Sequence, residues 1–170
     1  MNQFKKIILI LLFLIKSQTL LNANEKIAYI NMDYIINKSN PGLIILKKLD
    51  NTNKKNIDFL KKEQIKLKTS TDEIKKIKNI VSKEELKKKI DIHEKEINKF
   101  NQTQNDLSKN FKNLRKKEIN VLLKKINPLV EEYMLQNSIE IILIKRSVYS
   151  ANPSYDITNK ILDIVNKKIK

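Results

Sequence analysis

The sequence predicts an α+β fold in which a small β-rich body carries a long antiparallel two-helix coiled-coil arm. Three observations lead there. Residues 43–136 run without a glycine and with one proline, Pro128; a stretch this long without breakers is helical, yet it holds too few apolar residues to be the inside of a globule. β-prone segments flank it, at 26–31 and from Ile139 onward. Within it, Ser82-Lys83-Glu84-Glu85 is a capping box, a serine followed three residues later by a glutamate, which starts a second helix.

Ahead of the body, Lys5 and Lys6 precede the unbroken apolar run Ile7–Ile15, and Leu21-Asn22-Ala23 offers a cleavage site ending in a small residue. These are the parts of a secretory signal peptide over residues 1–23. The competing reading is a membrane anchor. The run is closed by Lys16 and is too short to span a bilayer, which needs roughly 20 residues.

The body is expected from residues 24–42 and 137–170. Lys26–Asn31 reads as a strand and Met32–Ser39 as a short helix, ended by the turn Ser39-Asn40-Pro41-Gly42, where proline and glycine both act as breakers. Ile139–Lys145 reads as a buried-type strand, and Ser147–Ala151 as its hairpin partner. Asn152-Pro153-Ser154 is a loop. Asp156 then caps a last helix from Ile157 to about Lys168, with Ile157, Ile161, Leu162 and Val165 on one face. Three strands of this length cannot cover their own apolar face. Homo-oligomerisation through Ile27, Tyr29, Ile139, Ile141, Leu143 and Val148 is the expected remedy.

The arm, residues 43–136, leaves the body and returns to it, with its tip expected near 79–82. Ser70-Thr71-Asp72-Glu73 is a second, less favoured place for the break. The return helix carries a 4,3 stripe through Leu86, Ile90, His93, Ile97, Phe100, Gln104, Leu107, Phe111, Leu114, Glu118, Val121 and Lys125, and beyond Leu114 the apolar positions drift to Ile119, Leu122, Ile126 and Leu129 near the body. The outgoing helix keeps only alternate positions apolar: Leu46, Asn53, Leu60, Leu67, Ile74 and Val81, with Asp50, Gln64, Thr71 and Lys78 between them. One seam is well made and the other is poor. Pro128 is expected to interrupt and kink the return helix.

The chain carries a net charge of +16, and residues 43–136 hold 24 Lys/Arg against 14 Asp/Glu. A basic arm attracts nucleic acid, an anionic membrane surface or an acidic polypeptide. With 33 lysines and two arginines, A/T-rich codon usage explains lysine in place of arginine. It explains less well why the excess falls on the arm. Nucleic-acid binding calls for arginines and aromatic stacking platforms, which the arm lacks, so it is not expected. Chemistry is absent from the pattern as well. There is no cysteine, one histidine (His93) and no glycine-rich loop, so no catalytic group, metal or cofactor is implied, and His93 reads as a seam residue.

Lysine pairs recur along the arm, at Lys54-Lys55, Lys61-Lys62, Lys75-Lys76 and Lys87-Lys88. A solvated coiled-coil flank is the ordinary meaning of such a run. Apolar Ile57, Phe59, Ile65, Ile77 and Ile80 stand among them, however. Such a surface holds an extended, partly hydrophobic chain weakly at many points.

Several stretches together resemble the Skp (OmpH) family of periplasmic chaperones: Lys26-Ile27-Ala28-Tyr29-Ile30-Asn31 with Ser39-Asn40-Pro41-Gly42, the tip Ser82-Lys83-Glu84-Glu85, and Ile139–Ile144 through Asp156-Ile157-Thr158. The resemblance covers the chain beyond the signal. It implies a jellyfish-like homotrimer with three helical tentacles around a cavity. It also implies an ATP-independent holdase that keeps unfolded outer-membrane β-barrel proteins from aggregating in the periplasm. The alternative, from a different class, is a structural coiled-coil spacer or tether of the envelope.

Overall fold

The computed structural model describes residues 26–169; the signal segment expected at 1–23 lies outside them. Strand β1 (Lys26–Ile30) leads through helix α1 (Met32–Lys38) into helix α2 (Asn40–Ile77). Helix α3 (Lys83–Gln136) returns to strand β2 (Ile139–Ile144), and helix α4 (Thr158–Lys168) follows. The fold is α+β, with two long helices and one pair of strands.

β1 and β2 pair in parallel. Parallel neighbours need a crossover of a dozen residues or more, and here the whole arm is that crossover. Lys26 faces Ile139 but Ile27 faces Ile141, so Glu140 is the extra residue of a bulge. Strict alternation groups Ile139 with Ile141 and Leu143. The bulge breaks that grouping: Ile139 and Ile142 both pack on the core, whereas Ile141 and Leu143 remain exposed.

The hairpin expected after β2 does not form. Residues 145–147 make a 3₁₀ turn, and Val148 to Asn152 are irregular. The second edge of β1 is taken instead by the chain just before α4: the Ile157 N–H donates to the Tyr29 carbonyl at 3.0 Å, and Tyr29 bridges to Asp156. The outer edge of β2 stays unpaired among the described residues, because the 3₁₀ turn at 145–147 leads the chain away from β2 and toward β1. Helix α4 begins at Thr158, one residue later than expected. Asp156 still serves its start, with Oδ1 accepting from the Thr158 N–H at 2.9 Å.

The Ser39–Gly42 segment is not the breaker turn that its proline and glycine predict. Only Ser39 leaves the helical region, and its Oγ accepts from the Gly42 N–H at 3.2 Å as the N-cap of α2. Pro41 sits in the first helical turn, where its missing N–H costs nothing. Gly42 is buried and helical, and a Cβ there would collide with the Ile36 backbone carbonyl of α1 and lie 2.9 Å from Ser39 Oγ. Glycine is needed for close approach of two helices, not for a left-handed turn. Pro128 likewise fails to end α3, which runs on to Gln136. The carbonyl four residues earlier, on Lys124, loses its donor, but both residues are exposed and water can replace it. The true end of α3 is Ser138 at φ 53°, a left-handed residue just beyond the helix.

The core sits where the arm base meets the body. Ala28 and Ile30 of β1, Ile35 of α1 and Leu122 and Ile126 of α3 close on Ile157, Ile161, Val165 and Ile169. Lys168 Nζ to Glu132 Oε2, at 2.6 Å, ties α4 to α3; the hydrogen bond and charge of Lys168 hold the Glu132 carboxyl below its usual range.

Candidate functional site: the helical arm and the outer sheet face

α2 and α3 run side by side and the chain reverses through residues 78–82. Ser82 Oγ accepts from the Glu85 N–H at 3.2 Å, the first half of the capping box. The return stripe lies inward at Leu86, His93, Phe100, Leu107, Phe111 and Leu114, with Thr103 in the place expected for Gln104; Ile90 and Ile97 are exposed at its edge, and Val121 and Lys125 are exposed where the stripe shifts to Leu122 and Ile126. The outgoing stripe is corrected. Leu46, Leu60, Leu67, Ile74 and Val81 turn inward, but the positions between them are Leu49, Asn56, Glu63, Ser70 and Ile77. Asp50, Asn53, Gln64 and Lys78 are exposed. Polar residues on either side of Leu60 and Leu67 make both registers look equally poor; the apolar pairs Leu46/Leu49 and Ile74/Ile77 carry the deciding signal. A Lys48 Nζ to Glu118 Oε1 ion pair at 2.7 Å bridges the helices near the body.

His93 occupies a seam position opposite Thr71, with Nε2 at 2.9 Å from Thr71 Oγ1. Thr71 donates its hydroxyl to the Leu67 carbonyl at 2.9 Å, so Nε2 is the protonated nitrogen of this arrangement. Nδ1 is buried without a hydrogen-bond partner among the described residues, and Glu96 Oε2 lies 4.0 Å from it.

All eight lysines singled out in the sequence (54, 55, 61, 62, 75, 76, 87 and 88) are exposed. Of the apolar five, Ile57, Phe59, Ile65 and Ile80 are exposed, Ile80 by 79% at the tip, while Ile77 is half-buried at a seam position. The structure does not gather them into one patch. Ile57 and Ile65 line grooves on one flank of the hairpin; Phe59 lines a groove with Phe100 on the other.

On the body, the strand register puts Ile27 beside Ile141 and Tyr29 beside Leu143. Ile27, Ile141 and Leu143 form an exposed apolar strip. Tyr29 is buried beneath Lys145, whose Nζ lies 5.8 Å from the ring centre and 3.2 Å from Asp156 Oδ2. Burial pushes the Asp156 carboxyl up, but hydrogen bonds from Thr158 and the Lys145 ammonium outweigh it and hold the group below its usual range. Ile139 belongs to the core and Val148 lies off the sheet, half-buried. Sequence reasoning passed over Ile144, Tyr149 and Tyr155, which are exposed in the same part of the chain. Their signal is their number: four large apolar or aromatic residues between 143 and 149 exceed what two strands can cover.

The family model for outer membrane proteins of the OmpH-like type matches residues 26–165, from the first strand into the last helix. The chain belongs to the OmpH-like family. A crystal structure of a proposed OmpH-like outer membrane chaperone from Caulobacter crescentus CB15 superposes with a TM-score of 0.77 at 15% identity, over 85% of each chain. At that identity the likeness is one of fold. No curated protein matches the chain. The OmpH-like pattern thus accounts for both the arm and the strand pair, which superpose as parts of one architecture.

Proposed function

We propose that this OmpH-like protein is an ATP-independent periplasmic holdase that binds unfolded outer-membrane β-barrel proteins and prevents their aggregation in transit. The signal segment at 1–23 directs export, and the reading assigns the protein no catalytic role. The observation that most supports it is the arm itself: from Asp50 to Val121 no residue is fully buried, while isoleucines, a phenylalanine and lysines are displayed along its length. Many weak, non-directional contacts suit a client with no fixed shape.

Assembly as a homotrimer goes with this reading. A two-stranded sheet is marginal in isolation, and the Ile27, Ile141 and Leu143 strip leaves its outer face uncovered in a single copy. Joining three copies there places three arms around one client. Without the signal's Lys5, Lys6 and Lys16 the chain keeps a net charge of +13 (16 − 3), which makes capture of acidic clients long-ranged and salt-sensitive, and extends to anionic membrane surfaces.

The test is light scattering of a urea-unfolded outer-membrane protein diluted into buffer with and without the purified protein. Suppressed aggregation at low salt, without nucleotide, is expected. Unchanged aggregation at every ratio of protein to client would sink the reading.

A further inference from the structure

The grooves on the two flanks of the arm differ in charge, and that difference assigns them different work; Asp58 and Asp72 stand one turn from stripe lysines but line neither groove. On one flank, Lys54, Ile57, Lys61, Ile65 and Lys68 follow each other at spacings of three or four residues, which places them in a single file along α2. The groove beside Ile65 is lined by Lys61, Lys68, Leu67, Thr71, His93 and Ile97 and includes no carboxylate. The next groove toward the body, beside Ile57, is lined by neutral residues of both helices, among them Asn53, Asn56, Gln104, Asn105 and Ser108. Lys54, Lys61 and Lys68 form no hydrogen bond or ion pair among the described residues. Ile65 is 65% exposed between two of them.

The opposite flank is electrically balanced. Its groove, between Phe59 and Phe100, contains Glu63 and Glu96 as well as Lys66 and Lys99. Lys66 is held by Glu63 at 2.6 Å.

We propose that the Lys54–Ile57–Lys61–Ile65–Lys68 stripe is the client track of the arm, and that its occupant is an extended polypeptide segment with acidic side chains about three residues apart and apolar side chains between them. This rests on the holdase reading and narrows it to one flank. The spacing follows from helix geometry. Lysines seven residues apart on a helix are separated by about 10.5 Å along its axis, which an extended chain in the polyproline-II conformation covers in about three residues, one full turn, so that every third side chain faces the stripe. The stripe from Lys54 to Lys68 is roughly 21 Å long and so takes about six residues of client. The lysines have no internal partner to lose when a carboxylate arrives, whereas on the Phe59 flank an incoming carboxylate meets two others and a lysine already paired.

The test compares two triple variants of the full protein that remove equal charge. One is Lys54→Gln/Lys61→Gln/Lys68→Gln and the other is Lys55→Gln/Lys62→Gln/Lys99→Gln. The probe is a fluorescent twelve-residue peptide with aspartate at every third position and valine or leucine between, titrated at low salt. The stripe variant is expected to bind about tenfold more weakly and the control within about twofold, with helical content unchanged in both. A photo-crosslinker is expected to label the peptide from position 65 and not from position 59. Equal weakening in both variants, or equal labelling from both positions, overturns the track while aggregation assays still support a holdase. If the parent protein neither binds the peptide nor suppresses aggregation, the holdase reading fails first. If the stripe lysines instead govern binding to phosphatidylglycerol vesicles and leave peptide binding unaffected, the track belongs to a membrane surface and the proposal is overturned.

Discussion

Body and arm are built from the same helices but are held together differently. At the body end, Leu122 and Ile126 of α3 are fully buried among side chains from β1, α1 and α4. Further out, the same helix has only α2 to pack against, and none of its seam residues is fully buried. Two helices in water can shield one stripe of each other; enclosing a side chain takes a third layer. Stability is therefore concentrated at the base, and the arm is free to open locally without unfolding the body.

Truncating one residue in each region gives the largest contrast. Ile126→Ala should cost roughly 3–4 kcal/mol, because the site is enclosed and cannot collapse easily. Leu67→Ala, half-buried in the seam, should cost nearer ~1 kcal/mol. Urea unfolding of both variants, read with hydrogen exchange, checks this: the first should lower protection throughout, the second only in the arm. Similar losses from the two would erase the distinction.

Gly42→Ala tests the junction between the regions. The added Cβ meets the Ile36 backbone carbonyl, which is not the flexible end of a side chain. A loss of about 2 kcal/mol is expected, despite alanine's better helix propensity. A stabilised variant would show that α1 and α2 separate readily there.

Asp156→Asn keeps the oxygen that accepts from the Thr158 N–H and removes the charge facing Lys145, a loss of roughly 0.5–1 kcal/mol. The folded carboxyl is held below its usual value, so its contribution is complete above the unfolded pKa of about 3.9 and is lost as pH falls through the folded one. Thermal melts between pH 6 and pH 2 should show parent and variant converging at the acid end. A gap that stays constant would remove the carboxylate from the argument.

The smallest effect expected is a gain. Ser138 is the one non-glycine residue with positive φ among the described residues, and Ser138→Gly should relieve about 0.5 kcal/mol at the end of α3. A melting temperature that falls instead would mean that the serine contributes something beyond its backbone angle.

The arm was more legible than the body. A long run without breakers, the Ser82 capping box and the drift from Leu114 to Ile119, Leu122 and Ile126 are local signals, and local signals are what helices are made from. The outgoing register was misplaced by one residue at alternate positions because Glu63 and Gln64, or Ser70 and Thr71, are equally polar. The grouping of candidate residues was harder still. Ile57, Phe59 and Ile65 look alike in a list, yet the helix turns Phe59 to the opposite flank. In the body, the missing hairpin follows from the 3₁₀ turn at 145–147, which leads the chain away from β2, and the inward Ile139 follows from the bulge at Glu140.

By itself the sequence determined the two long helices and the last one, the strands β1 and β2, the order of these elements and the excess of lysine upon the arm. These follow from hydrogen bonds between near neighbours and from side-chain periodicity, which a chain carries without reference to its fold. Tertiary structure decided the parallel pairing of β1 with β2, the bulge at Glu140, the close approach that makes Gly42 necessary and the contrast between a groove without carboxylates on one side of the arm and a groove with charges of both signs on the other. Each of these depends on what a distant segment brings alongside, and no local pattern encodes that partner.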